Sequence, residues 1–334
     1  MVWLVAASCA CAAAVYVSAS CMLMKYPNVL HKKRKGSLKA CAHISHRGGA
    51  GENLENTMSA FKHAVNSCKT DMLELDCQLT KDGHVVVAHD DHLGRVCGLD
   101  RCISELNYME LPPLSDELQL DFDRLKTCKD TSSPSDRRIP LLRDVFRAFP
   151  GVPINVDVKS TDPDLLDKVA TLIEEYKREA ITPWGNFQHD ICRRCYERNA
   201  RIPLIFSLRD CCSLLLLYYT GLLPFVPLKQ SCLEIPMPSI FYERPHLRIR
   251  PGKRQILFLR ALNWLLMSRR MFAHLQKRGV RVYVWVLNDE QQFQQAFQCG
   301  VDGVMTDFPT KLRHYLDRNP PINANVSEPL VSND

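Results

Sequence analysis

No Asp, Glu, Lys or Arg precedes Lys25. As a helix, such a run would extend roughly 36 Å, against a hydrocarbon core of about 30 Å. The leading positive charges and short apolar stretch of a cleaved secretory signal are also missing, so residues 1–24 read as an uncleaved transmembrane anchor. The positive-inside rule then puts the body of the chain in the cytosol, on the endoplasmic reticulum or another endomembrane. A regular cysteine framework is absent too. The 15 cysteines are scattered, as in a chain kept reduced. Cys192-x-x-Cys195 has no second pair nearby and reads as buried thiols, not as a metal or redox site. The basic cluster His31–Lys35 has no interleaved aromatics, and the net charge is only +6, which speaks against nucleic acid as a partner. Residues 25–40 therefore read as a basic juxtamembrane linker. Beyond Asn319 there is no periodicity, so 319–334 are expected to be a disordered tail, and the sequon at Asn325 is idle in this topology. No protein partner is predicted.

Acid, base and ligand groups concentrate between His43 and Asp91, in HISHRGGAGENLENT and MLELDCQLTKDGHVVVAHDD. Strand residues two apart share a face, so Glu74 and Asp76 can grip one cation together. A Lys81-Asp82-Gly83 turn folds Val85–His89 back antiparallel and returns His89 toward them. Gly48, Gly49 and Gly51 let backbone approach a ligand closely. Asn56 is a plausible cap for the helix carrying Ala60, Phe61, Ala64 and Val65.

Further strands are predicted at Ala42–His46, Met72–Cys77, Ile154–Lys159, Ile181–Phe187, Ile202–Leu208, Leu233–Pro238, Arg281–Leu287 and Gly303–Thr306, mostly separated by helical segments. Eight strands alternating with helices give an α/β protein, a (β/α)8 TIM barrel over 41–318 with an N-terminal transmembrane helix. Residues 93–138, polar and irregular, form an insertion after the second strand. A doubly wound open sheet is the fallback fold.

Polar residues gather at the predicted strand ends: His46-Arg47, Glu74-Asp76, Asp157-Lys159, Asn186, Trp285, Asn288 and Asp307. In a barrel these converge on one mouth. Near two other carboxylates, Asp157 reads as a third metal ligand more readily than as a structural partner of Lys159. Trp285 is a candidate for substrate contact. His63 and His274 lack such neighbours and read as core histidines.

HRG followed by E-N-T, then E-L-D-x-x-L-T-K-D-G with a later H-D, resembles the glycerophosphodiester phosphodiesterase family. N-V-D-V-K, V-W-V-L-N and T-D-F-P extend the likeness across 41–318. With the anchor and Gly221–Pro227, the chain is similar to the family's membrane-anchored animal subgroup. The resemblance implies a barrel and lysophospholipase D activity. It implies His46 and His89 as the acid/base pair, with His89 also within reach of the metal. Glu74 and Asp76 would be ligands of a divalent ion, Mg2+ or Ca2+, and Arg47 and Lys159 phosphate contacts. Asp157 stands where the wider family has Glu, and Leu54 where it has Pro.

The chemistry fits these residue types. A phosphodiester repels nucleophiles until a hard cation and an Arg neutralise it, and paired histidines move the protons. Residues 211–228, CCSLLLLYYTGLLPFVPL, suggest a lipid substrate and a bilayer partner, as a hydrophobic lip, a second span or a buried barrel helix. Expected substrates are lysophosphatidylcholine, lysophosphatidylethanolamine and glycerophospho-N-acylethanolamines. The alternatives are hydrolysis of deacylated glycerophosphodiesters, or a non-catalytic membrane lipid-binding protein.

Overall fold

Strands too short to fold alone join into a ring in the computed structural model, which describes residues 2–32, 38–121, 126–129, 137–243 and 251–320. Lys33–Lys35 of the basic cluster, parts of the insertion and the tail from residue 321, with its sequon, lie outside the described residues. The strands are β1 His43–Ser45, β2 Met72–Leu79, β3 Val85–Val87, β4 Glu117–Gln119, β5 Thr127–Lys129, β6 Ile154–Val158, β7 Trp184–Gly185, β8 Cys232–Pro236, β9 Arg281–Trp285 and β10 Gly303–Thr306. The helices run α1 Val2–Lys25, α2 Met58–Lys62, α3 Gly94–Cys97, α4 Leu142–Ala148, α5 Pro163–Glu175 and α6 His189–Arg198. They continue as α7 Leu208–Tyr219, α8 Ile240–Glu243, α9 Lys253–Leu266, α10 Arg269–Lys277, α11 Glu290–Gln298 and α12 Pro309–Arg318.

Parallel pairing runs β7–β6–β2–β1–β10–β9–β8. Leu204 bridges to Trp184 and Ile205 to Cys232, both in parallel, which joins the two ends. With that bridging segment the ring has the eight parallel strands of a TIM barrel. The strand expected at Ile202–Leu208 thus shrinks to two bridging residues. β3 lies antiparallel on β2, with Cys77 opposite Val87 and Leu79 opposite Val85, so the hairpin is an excursion and not a ring member. Gly83 closes its turn at φ +77, a conformation glycine adopts without penalty.

The barrel wall and outer helices share an apolar core of Ile44, Phe61, Leu73, Leu75, Phe146, Ile154, Val156 and Trp184, all fully buried. Each such side chain contributes about 1.5–3 kcal/mol. The insertion is less irregular than its sequence suggests. It carries α3 and the β4–β5 hairpin, and Leu93, Val96, Ile103, Leu106, Leu114 and Leu118 pack with Val86 and Leu141 into a small core of their own. Those apolar residues follow neither a helical nor a strand period, which hid the cluster.

One expectation needs correction. Thr57, not Asn56, caps α2: its hydroxyl accepts from the Ala60 N–H at 3.2 Å, whereas Asn56 sits at φ +58 and turns inward. Residues 211–228 are not one continuous helix: α7 has 12 residues and ends just before Gly221, which takes φ +76. Cys211 and Leu214 of α7 are buried against the barrel. Among the described residues, α1 alone is long and apolar enough to cross a membrane.

Candidate active site

The mouth is built by the turn that ends β1. Arg47 takes φ +50, followed by Gly48 at +79 and Gly49 at +101. A Cβ on Gly48 would stand 2.8 Å from Phe61 and one on Gly49 2.6 Å from Pro309. These two glycines make room for the protein's own rings. This left-handed turn swings His46 and Arg47 over the strand ends. The Arg47 N–H donates to Glu74 Oε2 at 2.9 Å, tying the turn to β2.

Register brings the carboxylates together, for Asp76 lies opposite Asp157 and Glu74 opposite Asn155 on the paired strands β2 and β6. Lys159 Nζ sits between two of them, 2.8 Å from Asp76 Oδ1 and 2.5 Å from Asp157 Oδ2. On the other side of Asp76, Arg47 Nε lies 3.3 Å and the Asn56 amide 2.9 Å from Oδ2. Asn186 donates to Asp157 at 2.5 Å. Burial alone would raise Asp76, but Lys159 and Arg47 outweigh it and hold this carboxyl well below the usual range. Glu74 behaves oppositely: burial, reinforced by the charge of Asp76, pushes it up to about 7.

Both histidines use the same device. His46 Nδ1 is 2.6 Å from Asp307 Oδ1, which leaves Nε2 facing Glu74 Oε2 at 4.0 Å. Burial works against the imidazolium of His46, yet Asp307 and Glu74 raise its pKa above the ordinary value. Asp307 is itself held by the Asn288 amide at 2.8 Å. His89 Nδ1 is 2.7 Å from Asp90 Oδ1, and its charge is felt at Asp76. A carboxylate on Nδ1 fixes the ring and leaves Nε2 for proton transfer.

His46, Arg47, Glu74, Asp76, Asp157 and Lys159 thus meet directly. His89 joins through Asp90, Arg95 and Glu55, the last accepting from Arg47 at 3.0 Å. The Trp285 ring lies edge-on to Phe187, with centroids 5.3 Å apart. Three contributors escaped the sequence reading. Asp121 of the insertion reaches Arg47 at 2.7 Å. Glu55 clamps Arg47 and Arg95. Glu234 on β8 points into the barrel, where Asn155 donates to it at 2.8 Å and burial pushes its carboxyl up to about 8. The isolated acid in the apolar Leu-Glu-Ile strand was the available signal for Glu234.

For a hard cation, oxygen donors are required, and Asp76, Asp157 and Glu74 supply them on adjacent strands. The ammonium of Lys159 between Asp76 and Asp157 stands in for the positive charge that such a set demands. The donors are of the type a hard divalent ion takes, with Lys159 now held between Asp76 and Asp157. Among the described residues it is Glu52, His63 and Cys68, not Glu74, Asp76 and Asp157, whose three ligand atoms lie within 4.8 Å of one another. His63 is thus part-exposed beside an acid rather than a core histidine, while His274 is buried as expected. All 15 cysteines are free, and burial pushes Cys192 up to about 12, which makes it an inert thiol.

Residues 46–311 match the glycerophosphoryl diester phosphodiesterase family. The chain is 50% identical over 303 residues to human "Lysophospholipase D GDPD1", covering 90% of this chain and 94% of that protein. To mouse "Lysophospholipase D GDPD3" it is 39% identical, covering 91% and 90%. In fold it is similar to the glycerophosphodiester phosphodiesterase of Agrobacterium tumefaciens, with a TM-score of 0.56 at 18% identity over 82% of this chain and 99% of that one. A phosphodiesterase of Oleispira antarctica in complex with the product sn-glycerol-3-phosphate gives 0.55 at 18%, covering 83% and 96%.

Proposed function

The chain belongs to the glycerophosphoryl diester phosphodiesterase family, and from that premise we propose that it is a metal-dependent lysophospholipase D of a membrane surface. It would hydrolyse lysophosphatidylcholine or lysophosphatidylethanolamine at the phosphate–headgroup bond, giving lysophosphatidic acid and the free headgroup. Glycerophospho-N-acylethanolamines would give N-acylethanolamines. The observation that carries the reading is the cluster of His46, Arg47 and three acids at the mouth of a barrel that also bears an apolar helix, with a second carboxylate-held histidine, His89, linked to it through Asp90, Arg95 and Glu55.

In this reading Glu74, Asp76 and Asp157, with His89 in reach, hold Mg2+ or Ca2+, which lowers the negative charge of the diester when bound. Arg47 offers a planar fork to the phosphate oxygens. Lys159 helps hold Asp76 ionised and meets phosphate once displaced from between Asp76 and Asp157. One imidazole takes a proton from the attacking water, and the other returns one to the leaving alcohol, a contribution of about 10²–10⁴-fold. Trp285 and Phe187 line the apolar side of the mouth, where an acyl chain would lie. Residues 1–24 anchor the enzyme, 25–40 link it and 41–318 form the catalytic barrel, facing the cytosol from an endomembrane.

The test is to incubate the purified full chain with lysophosphatidylcholine, supplying magnesium and calcium in turn. Release of choline with lysophosphatidic acid is expected. Glycerol 3-phosphate released only from deacylated substrates would favour the simpler diesterase instead. Chelator-insensitive lipid binding without headgroup release would favour a non-catalytic lipid-binding protein.

A further inference from the structure

A surface helix buries its apolar stripe and wets its polar one; α9 packs Leu262 and Leu266 on the core yet leaves a second apolar stripe uncovered. Leu257, Phe258, Ala261 and Trp264 share its outward face, with Leu257 70%, Phe258 66% and Trp264 72% exposed. Residues 251–270 contain five Lys or Arg and no Asp or Glu. This apolar face is continuous with the tip of α7, because Tyr219 stacks on Trp264 with ring centroids 6.0 Å apart and donates to the Leu265 carbonyl at 2.9 Å. Leu216 and Phe225 are exposed beside it.

The tip of α7 is in turn fastened to α1. Tyr16 donates to the Thr220 carbonyl and stacks on Phe225 at 6.2 Å, and Ser20 Oγ donates to the Gly221 carbonyl at 2.7 Å. A Cβ on Gly221 would meet Ser20 Oγ at 2.7 Å, so glycine is needed for this approach. Helix length then fixes depth. A core of about 30 Å takes about 20 helical residues, and counted from Val2 these end near Cys21. Tyr16 and Ser20 are therefore at or below the headgroup boundary, and Thr220, Gly221 and Phe225 lie at the same level.

We propose that α9, with the tip of α7, lies in the headgroup–acyl boundary of the bilayer that α1 crosses. The outward stripe of α9 is then buried in lipid, and Lys253, Arg254, Arg260, Arg269 and Arg270 face anionic headgroups. α7 connects this contact to the chemistry, since it starts at the mouth with exposed Leu208 and ends at the lipid with Tyr219. The inference rests on α1 being the anchor, and it adds a second, interfacial contact that orients the barrel.

The full chain is reconstituted into phosphatidylcholine–phosphatidylserine vesicles whose acyl chains are brominated near the glycerol end. The emission that Trp264→Phe removes is the contribution of Trp264, and it should be quenched in these vesicles. Emission at this site unaffected by bromine overturns the inference, as does the same residue shielded by a second copy in a sedimenting dimer. As a second measurement, Leu257→Asp combined with Phe258→Asp should raise KM for vesicle-borne lysophosphatidylcholine several-fold and leave turnover of a water-soluble diester unchanged. An unchanged KM also overturns it. Quenching without any hydrolysis by the native chain would sink the proposed activity and support this contact; hydrolysis without quenching would sink the contact alone.

Discussion

The β1–β2–β6 side of the barrel and the flank around β8 solve opposite problems. On the first side nearly every buried charge is paired: Arg47 with Glu55, Asp76 and Asp121, and Lys159 with Asp76 and Asp157. Such a network tolerates burial only because each charge has a partner, and removing one leaves the other stranded at a cost of about 3–5 kcal/mol. On the second side the unsatisfied surface is apolar, with Leu216, Leu257, Phe258 and Trp264 held out of the core. Chemistry is confined to the charged side, and the apolar side gives the molecule a place to sit.

The largest effect should come from breaking the charged side. His46→Ala is expected to lower turnover of lysophosphatidylcholine by about 10²–10⁴-fold, and Glu74→Ala to abolish it, both with native circular dichroism and membrane retention. Near-normal hydrolysis by either variant would remove the assigned role. Chelation comes next: EDTA should bring the rate to background, and added Mg2+ or Ca2+ should restore it. On the apolar side, deleting residues 1–24 should shift protein from the membrane pellet to the supernatant while micellar substrate is still turned over. A parallel loss of micellar activity would mean that the helix does more than tether.

The smallest effect concerns Glu234, which joins the two sides inside the barrel. Its carboxyl is raised from 4.5 to about 8 by burial. Between those values the folded protein keeps a proton that the unfolded chain has lost, so stability must fall as pH rises through this window. The slope is at most about 1.4 kcal/mol per pH unit. Melting temperatures of Glu234→Gln, measured without divalent ions from pH 5 to about pH 8, should be flatter than those of the native chain, and identical profiles would refute the buried acid.

Much of the site was legible in the sequence because its residues cluster in short, regular strands. Glu74 and Asp76 at i and i+2 had to share a face, and the Lys81–Gly83 turn had to return His89. Asp307 was visible as a strand-end acid, but its bond to His46 spans 261 positions, and no local pattern encodes such a pair. Asp121 was lost inside an insertion whose small core has no period. Asn56 looked like a cap, since an Asn before a helix usually is one, yet its left-handed backbone aims the amide at Asp76.

The sequence by itself determined the barrel and the apolar N-terminal helix, because strand period, helical spacing and an uncharged run of spanning length are properties of neighbouring residues. It also set acid, base and ligand-type side chains at the strand ends. Only the tertiary structure decided which charges neutralise one another and which apolar face stays uncovered. Those outcomes depend on distances between residues far apart in the chain, and on what remains exposed once the ring of strands has closed.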